Sequence, residues 1–128
     1  MIEIYTDGAA NGDPGLSGAG VYIKEGTTIH EYSFHLGMLS NHEAEFWAVI
    51  KGIEICKQKF PNEILSFRSD SKLVVDLFEK EHTKNVKFIP LLERIVKDSQ
   101  QFPFFFIKWI PEKKNQHADR LARQAIHM

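Results

Sequence analysis

The chain has 128 residues, of which 43% are hydrophobic and 26% charged, with a formal net charge of −1. That size and balance point to one soluble globular domain over residues 1–128 and exclude a protein that coats nucleic acid by charge alone. No apolar run approaches the roughly 20 residues that cross a bilayer. Met1–Tyr5 reads as a strand rather than a leader, and Cys56 has no second cysteine to pair with, so a reducing cytoplasm is the expected compartment.

Ile2 to Thr6 alternates as a strand that ends at Asp7. Residues 8–15, Gly-Ala-Ala-Asn-Gly-Asp-Pro-Gly, have the composition of a loop. Gly18–Lys24 and Thr28–Leu36 form two further strands joined by a turn at Glu25-Gly26. Ser40 or Asn41 caps a helix from about His42 to Phe60, which Pro61-Asn62 ends. Ile64–Ser69 is the next strand, and Ser69-Asp70-Ser71 opens a helix carrying Leu73, Val74, Leu77 and Phe78 at helical spacing. After a charged connection over residues 79–87, Ile89-Pro90 opens another helix through Leu91, Leu92, Ile95 and Val96. The continuous apolar run Phe104–Ile110 predicts a strand covered on both faces. A last helix runs from about Asn115 to Ile126. This order predicts an α/β fold. The first three strands pair antiparallel, and the last two, reached through helices, run parallel in the same five-stranded sheet.

Four acids stand out, each in its own segment. Asp7 closes the first strand on the face it shares with Tyr5, or serves as a turn-forming Asp before Gly8. Glu45 precedes Val49, Gly52, Ile53 and Cys56 at helical spacing, so it lies on an apolar stripe or at its edge; Glu43 is an ordinary first-turn acid. Asp70 stands at a strand-to-helix junction, where it could also cap the helix. Asp119 lies one position off the stripe Ala118, Leu121, Ala122, Ala125 and Ile126, with Arg123 four residues on as a ready ion-pair partner. Singly each has an ordinary structural explanation. Together they offer hard oxygen donors for Mg2+ or Mn2+, and two such ions about 3.5–4 Å apart activate water and stabilise the leaving oxygen of a phosphodiester.

The motifs Thr6-Asp7-Gly8-Ala9-Ala10 with Gly12, Pro14-Gly15, Gly18 and Gly20, then Glu45, then Ser69-Asp70-Ser71, then Asn115 and Ala118-Asp119-Arg120-Leu121-Ala122 resemble type 1 ribonuclease H in order and over essentially the whole chain. The resemblance implies a mixed five-stranded sheet flanked by helices. It implies metal-dependent hydrolysis of the RNA strand of RNA–DNA hybrids, leaving 5′-phosphate and 3′-hydroxyl ends. The sequence does not reveal the oligomeric state; a monomer is the expectation. The resemblance makes Asp7, Glu45, Asp70 and Asp119 the catalytic ligands of two Mg2+ or Mn2+ ions. It places Ser40 and Asn41 against the DNA backbone, and Asn11 and Gly12 near the RNA.

Two family features are missing. The connection from Asp76 to Pro90 is too short for the basic, tryptophan-containing protrusion of many members. Residues 109–117 lack the glycine-histidine loop; His117, and less directly Glu112, are the candidate stand-ins, with Lys113 and Lys114 available to phosphate. A ribonuclease H-fold module that binds nucleic acid with little turnover is therefore the alternative, and a related nuclease preferring structured DNA is a third. Phe102, Phe104, Phe105, Phe106 and Trp109 are expected in a buried central strand rather than on a base-stacking surface, Trp47 in the core, and Cys56 as packing.

Overall fold

The computed structural model describes residues 1–128. In order it contains β1 (Ile2–Gly12), β2 (Gly15–Glu25), β3 (Thr28–Leu39), α1 (Asn41–Lys59), β4 (Ile64–Ser69), α2 (Lys72–Lys80), α3 (Ile89–Ser99), β5 (Phe104–Trp109), a 3-10 turn (Glu112–Lys114) and α4 (Gln116–Ile126). The strands form one sheet in the order β3-β2-β1-β4-β5. β1 and β3 each pair antiparallel with β2, while β4 runs parallel to β1 and β5 parallel to β4. This is the expected α/β arrangement. A tight turn at Gly26, with φ of 59°, allows the β2–β3 hairpin, whereas the parallel strands need helical crossovers.

Alternation along the strands sends Ile2 and Ile4 of β1, Val21 and Ile23 of β2, and Leu65 and Phe67 of β4 to one face, where α1 and α2 cover them and α3 packs on those helices. Phe46, Val49 and Ile53 of α1, Val74 of α2, and Leu92 and Ile95 of α3 complete this core. Cys56 is fully buried within it, and burial pushes its thiol up to about 12, so it packs rather than reacts. Trp47 is only half-buried, at the margin, with Arg94 and Lys51 against its ring. α4 lies on the opposite face, over β1, β2 and β3.

Two expectations are corrected. The glycine-rich residues 8–15 are not a loop throughout, because β1 and β2 extend into them: Gly8 pairs with Ala19, Ala9 with Gly18 and Gly12 with Gly15. The small residues answer a packing demand. A Cβ on Gly8 would collide with the α1 backbone at Ala44 and Glu45. One on Gly18 or Gly20 would collide with the carbonyl oxygen of Ala122 or Ala118 in α4. The second correction concerns the apolar run Phe104–Ile110. Its strand, β5, is the edge of the sheet, and only one face is covered. Phe105 and Ile107 face the helices, while Phe104 and Phe106 are 57% and 56% exposed. A run of apolar residues does not say which face a neighbouring helix reaches.

Gly20→Ala should destabilise the fold by about 1–3 kcal/mol, the usual cost of overpacking, because the added methyl must displace α4. Urea unfolding checks this, and a wild-type midpoint would show that α4 does not rest on β2 as described.

Candidate active site

β1 and β4 are adjacent and parallel, with Thr6 beside Ser69, so Asp7, which lies within β1 rather than at its expected end, is level with Asp70 just past the end of β4. Gly8 lets the start of α1 settle onto β1 and brings Glu45 over that edge, while Gly18 and Gly20 do the same for α4 and Asp119 from the other face. All four acids line one cavity of about 400 Å3, together with the Gly8–Asn11 segment, Asn41, Glu112, Arg123 and His127. A cleft of about 430 Å3 between the end of α2 and α3 includes none of the four.

The local alternatives for these acids resolve differently. Asp70 is not the cap of α2: the Ser71 hydroxyl accepts from the Val74 amide at 3.2 Å, which leaves the Asp70 carboxylate free to face the cavity. Asn115 donates through Nδ2 to Asp70 Oδ2 at 3.2 Å and to the Thr6 carbonyl at 2.9 Å, tying the end of β4 to the middle of β1, and the Trp109 indole donates to the Asp70 carbonyl at 3.2 Å. Glu45 accepts from Asn41 Nδ2 at 3.3 Å, and its side chain is only 11% exposed. Asp119 does pair with Arg123, at 3.0 and 3.1 Å, and still lines the cavity. In this arrangement no three His, Cys, Asp or Glu side chains are drawn together into a group able to hold an ion.

Asp7 is the exception. It is 9% exposed, with no hydrogen bond from a cationic or amide side chain. Burial, then the Asp70 charge, then Asp119 as hydrogen-bond partner and charge, push its carboxyl up to about 9. Burial also raises Glu45, partly opposed by Ser71 and His42, and raises Asp70 against the lowering hydrogen bond from Asn115. Arg123 is the one Lys or Arg side chain in the lining, and it is taken by Asp119. Four carboxylates around one cavity, one of them buried without a cation, are the oxygen donors that fit a hard divalent cation.

The remaining candidates separate. Asn11 and Asn41 line the cavity; Gly12 and Ser40 do not. The Ser40 hydroxyl caps α1 by accepting from the Glu43 amide, and Glu43 returns the bond to the Ser40 amide, which gives that acid a purely local task. Asp13 accepts from the Asn41 amide at 3.1 Å and so ties the β1–β2 turn to the start of α1. Glu112 lines the cavity and an adjoining pocket with Asp70, Gln116 and Asp119. His117 instead stacks on Tyr22 at 4.2 Å, beside a separate small cleft. Asn115 is the site residue whose task sequence reasoning missed. Its signal in the sequence was its place just before the final helix; the structure shows that it does not cap that helix.

A family model described as "Reverse transcriptase-like" matches residues 5–125. The "Putative hydrolase EbsB" of Enterococcus faecalis is 39% identical, over 98% of this chain and 94% of that protein. A ribonuclease H of Chlorobium limicola is 30% identical, again over 98% and 94%. Among solved structures, LC11-RNase H1 in complex with an RNA/DNA hybrid superposes with a TM-score of 0.91 at 31% identity, covering 99% of this chain and 97% of that one. RNase H1 of Halobacterium salinarum superposes with a TM-score of 0.90 at 27% identity, covering 98% and 97%.

The raised acids predict a pH dependence. From about pH 4 up to about 9 the folded chain keeps a proton on Asp7 that the unfolded chain, with an ordinary value near 3.8, has released. Without divalent metal, stability should therefore fall as pH rises through that window, with Glu45 and Asp70 acting in the same direction. Asp7→Asn should flatten the profile and raise stability at neutral pH. Urea unfolding in EDTA across the range is the measurement, and equal slopes for both proteins would refute the assignment.

Proposed function

This chain belongs to the type 1 ribonuclease H family, and we propose that it hydrolyses the RNA strand of RNA–DNA hybrids by two-metal-ion catalysis. The observation that carries this reading is Asp7, a buried carboxylate facing Asp70, Asp119 and Glu45 across one cavity without a cation of its own. Asp7, Glu45, Asp70 and Asp119 would hold two divalent ions, Mg2+ or Mn2+. When bound, such ions lower the pKa of a water and neutralise charge on the attacked phosphodiester and its leaving oxygen.

The chain's own groups have distinct tasks. Asn115 and Trp109 fix the end of β4, so Asp70 is presented from a rigid strand terminus. Asn41 orients Glu45 from four residues away on the same helix. Arg123 holds Asp119 until a stronger cation competes for it. The Gly8–Asn11 segment is small enough for a substrate backbone to approach β1 closely, which suits a hybrid recognised by shape and 2′-hydroxyls rather than by base edges. Glu112 is exposed and lines the cavity, which supports it as the accessory residue beside the four acids. His117 faces Tyr22, so it is the weaker of the two stand-ins.

Two experiments test the reading. Cleavage of a labelled RNA–DNA hybrid in Mg2+ and in Mn2+ should proceed with the wild type. It should fall by more than about a hundredfold in Asp70→Asn, since losing a direct ligand exceeds the loss expected from an outer-shell change. Hybrid that binds yet stays intact in both metals would make the protein a binding module instead. Independently of turnover, millimolar Mn2+ should raise the Tm of the wild type by a few degrees, as expected for a ligand that binds only the folded state, and Asp7→Asn should abolish most of that shift. An unchanged wild-type Tm would argue against a metal site.

A further inference from the structure

The face of the sheet that carries α4 is only partly covered. α4 spans β1, β2 and β3 and leaves β4 and β5 bare. By register, Glu3 and Tyr5 of β1, Arg68 of β4, and Phe104, Phe106 and Lys108 of β5 share this open face, with Tyr22 and Lys24 of β2 beside them. Three features set it apart from an ordinary polar surface. Phe104 and Phe106 are more than half exposed and lie parallel, with ring centroids 6.5 Å apart and 4° between planes. Lys108 is exposed, Lys24 sits 5.5 Å from the Tyr5 ring centroid, and Arg68 lies 5.4 Å from the same centroid. Glu3, the one acid among these residues, is already neutralised by Arg68 at 2.7 Å.

We propose that this open sheet face is a second nucleic-acid surface, distinct from the carboxylate cavity, which binds a single-stranded segment by stacking bases on Phe104 and Phe106 and holding phosphates with Lys108 and Lys24. Exposed aromatics alternating with cations across a flat sheet are what a single strand uses, because every base has a face to stack and the backbone needs only local positive charge. An apolar protein partner would leave these cations to be desolvated without counter-charges. Duplex would bury its base faces and gain nothing from the phenylalanines. The chain's net charge of −1 does not oppose this, since local positive charge is what a single strand needs and the one acid among these residues is already paired with Arg68. Asn115 lines the small cleft beside Tyr5 and Lys114 and also touches Asp70, so the two surfaces stand back to back across one residue.

The test uses the full chain, a fluorescent oligothymidylate of about twenty nucleotides and EDTA, so that neither cleavage nor metal contributes. Fluorescence anisotropy should report binding that weakens as salt rises. Phe104→Ala/Phe106→Ala should weaken it by about tenfold or more, consistent with the loss of two stacking contacts. Lys108→Glu should weaken it and reduce its salt dependence. Both variants should keep the wild-type circular dichroism spectrum and cleave a short hybrid at the wild-type rate. Absence of binding by the wild type, or unchanged affinity in the double variant, would overturn the proposal. So would loss of hybrid cleavage in step with loss of binding, which would place the single strand in the carboxylate cavity. A wild-type dimer in sedimentation that the double substitution dissociates would also overturn it, making a second copy of the chain the occupant. Because the probe is DNA and metal is absent, failure here leaves the nuclease reading untouched.

Discussion

The close approach of two helix backbones to one pair of strands is the constraint on which the rest of this molecule depends. α1 meets β1 at Gly8, and α4 meets β2 at Gly18 and Gly20, from opposite faces of the sheet. Without side chains at those points, Glu45 and Asp119 reach the edge where Asp7 and Asp70 emerge. Side chains there would lift each helix by the thickness of a methyl or more, and carboxylates from four elements could no longer share one cavity. The small residues of the first two strands thus set the distance between chemistry-bearing groups, although none of them carries chemistry.

That convergence stabilises nothing by itself. Asp7 is buried among like charges, and burial and repulsion both favour its protonated form. The surrounding bonds spread this cost: Asn115 to Asp70, Asn41 to Glu45, Arg123 to Asp119. Each holds a carboxylate in a defined direction while leaving it able to exchange its neutral or weakly competing partner for a stronger charge. The stability that tolerates this strain lies on the other side of the sheet, in the aliphatic and aromatic core beneath α1, α2 and α3. Core and site are joined by short links: Ser71 caps α2 immediately after Asp70, and Glu43, two residues before Glu45, completes the capping box that Ser40 opens on α1. Each cap frees its neighbouring acid from a structural task.

Element order, strand direction and the four acids were legible in the sequence because each rests on a local signal. Alternation marks Ile2–Thr6, helical spacing marks Val49, Ile53 and Cys56, and a cap cluster marks Ser69-Asp70-Ser71. What was not legible depended on neighbours distant in the chain. Glycine at 8, 18 and 20 looks the same in a loop as beneath a helix, and only the position of α1 and α4 distinguishes the two. Phe104–Ile110 has the composition of a buried strand, yet sheet order puts it at the edge. Asn115 stands among the motif residues, but its task does not show in the sequence, because its bonds to Thr6 and Asp70 span more than a hundred and more than forty residues. The orientation of His117 toward Tyr22 likewise follows from how α4 sits on β2.

The edge position of β5 has a wider consequence. An exposed edge invites pairing with another chain, and the usual protections are brevity and charge. β5 has both, being six residues long and carrying Lys108, but its outward aromatics at 104 and 106 work against that protection. If those positions served only folding, polar residues would cost nothing there, since the core contacts of the strand are made by Phe105 and Ile107 on the other face. Neither the core nor the cavity uses the two outward rings. They lie on a face whose one acid is neutralised and whose cations are available. A polyanion with stacking bases accounts for that combination better than packing does.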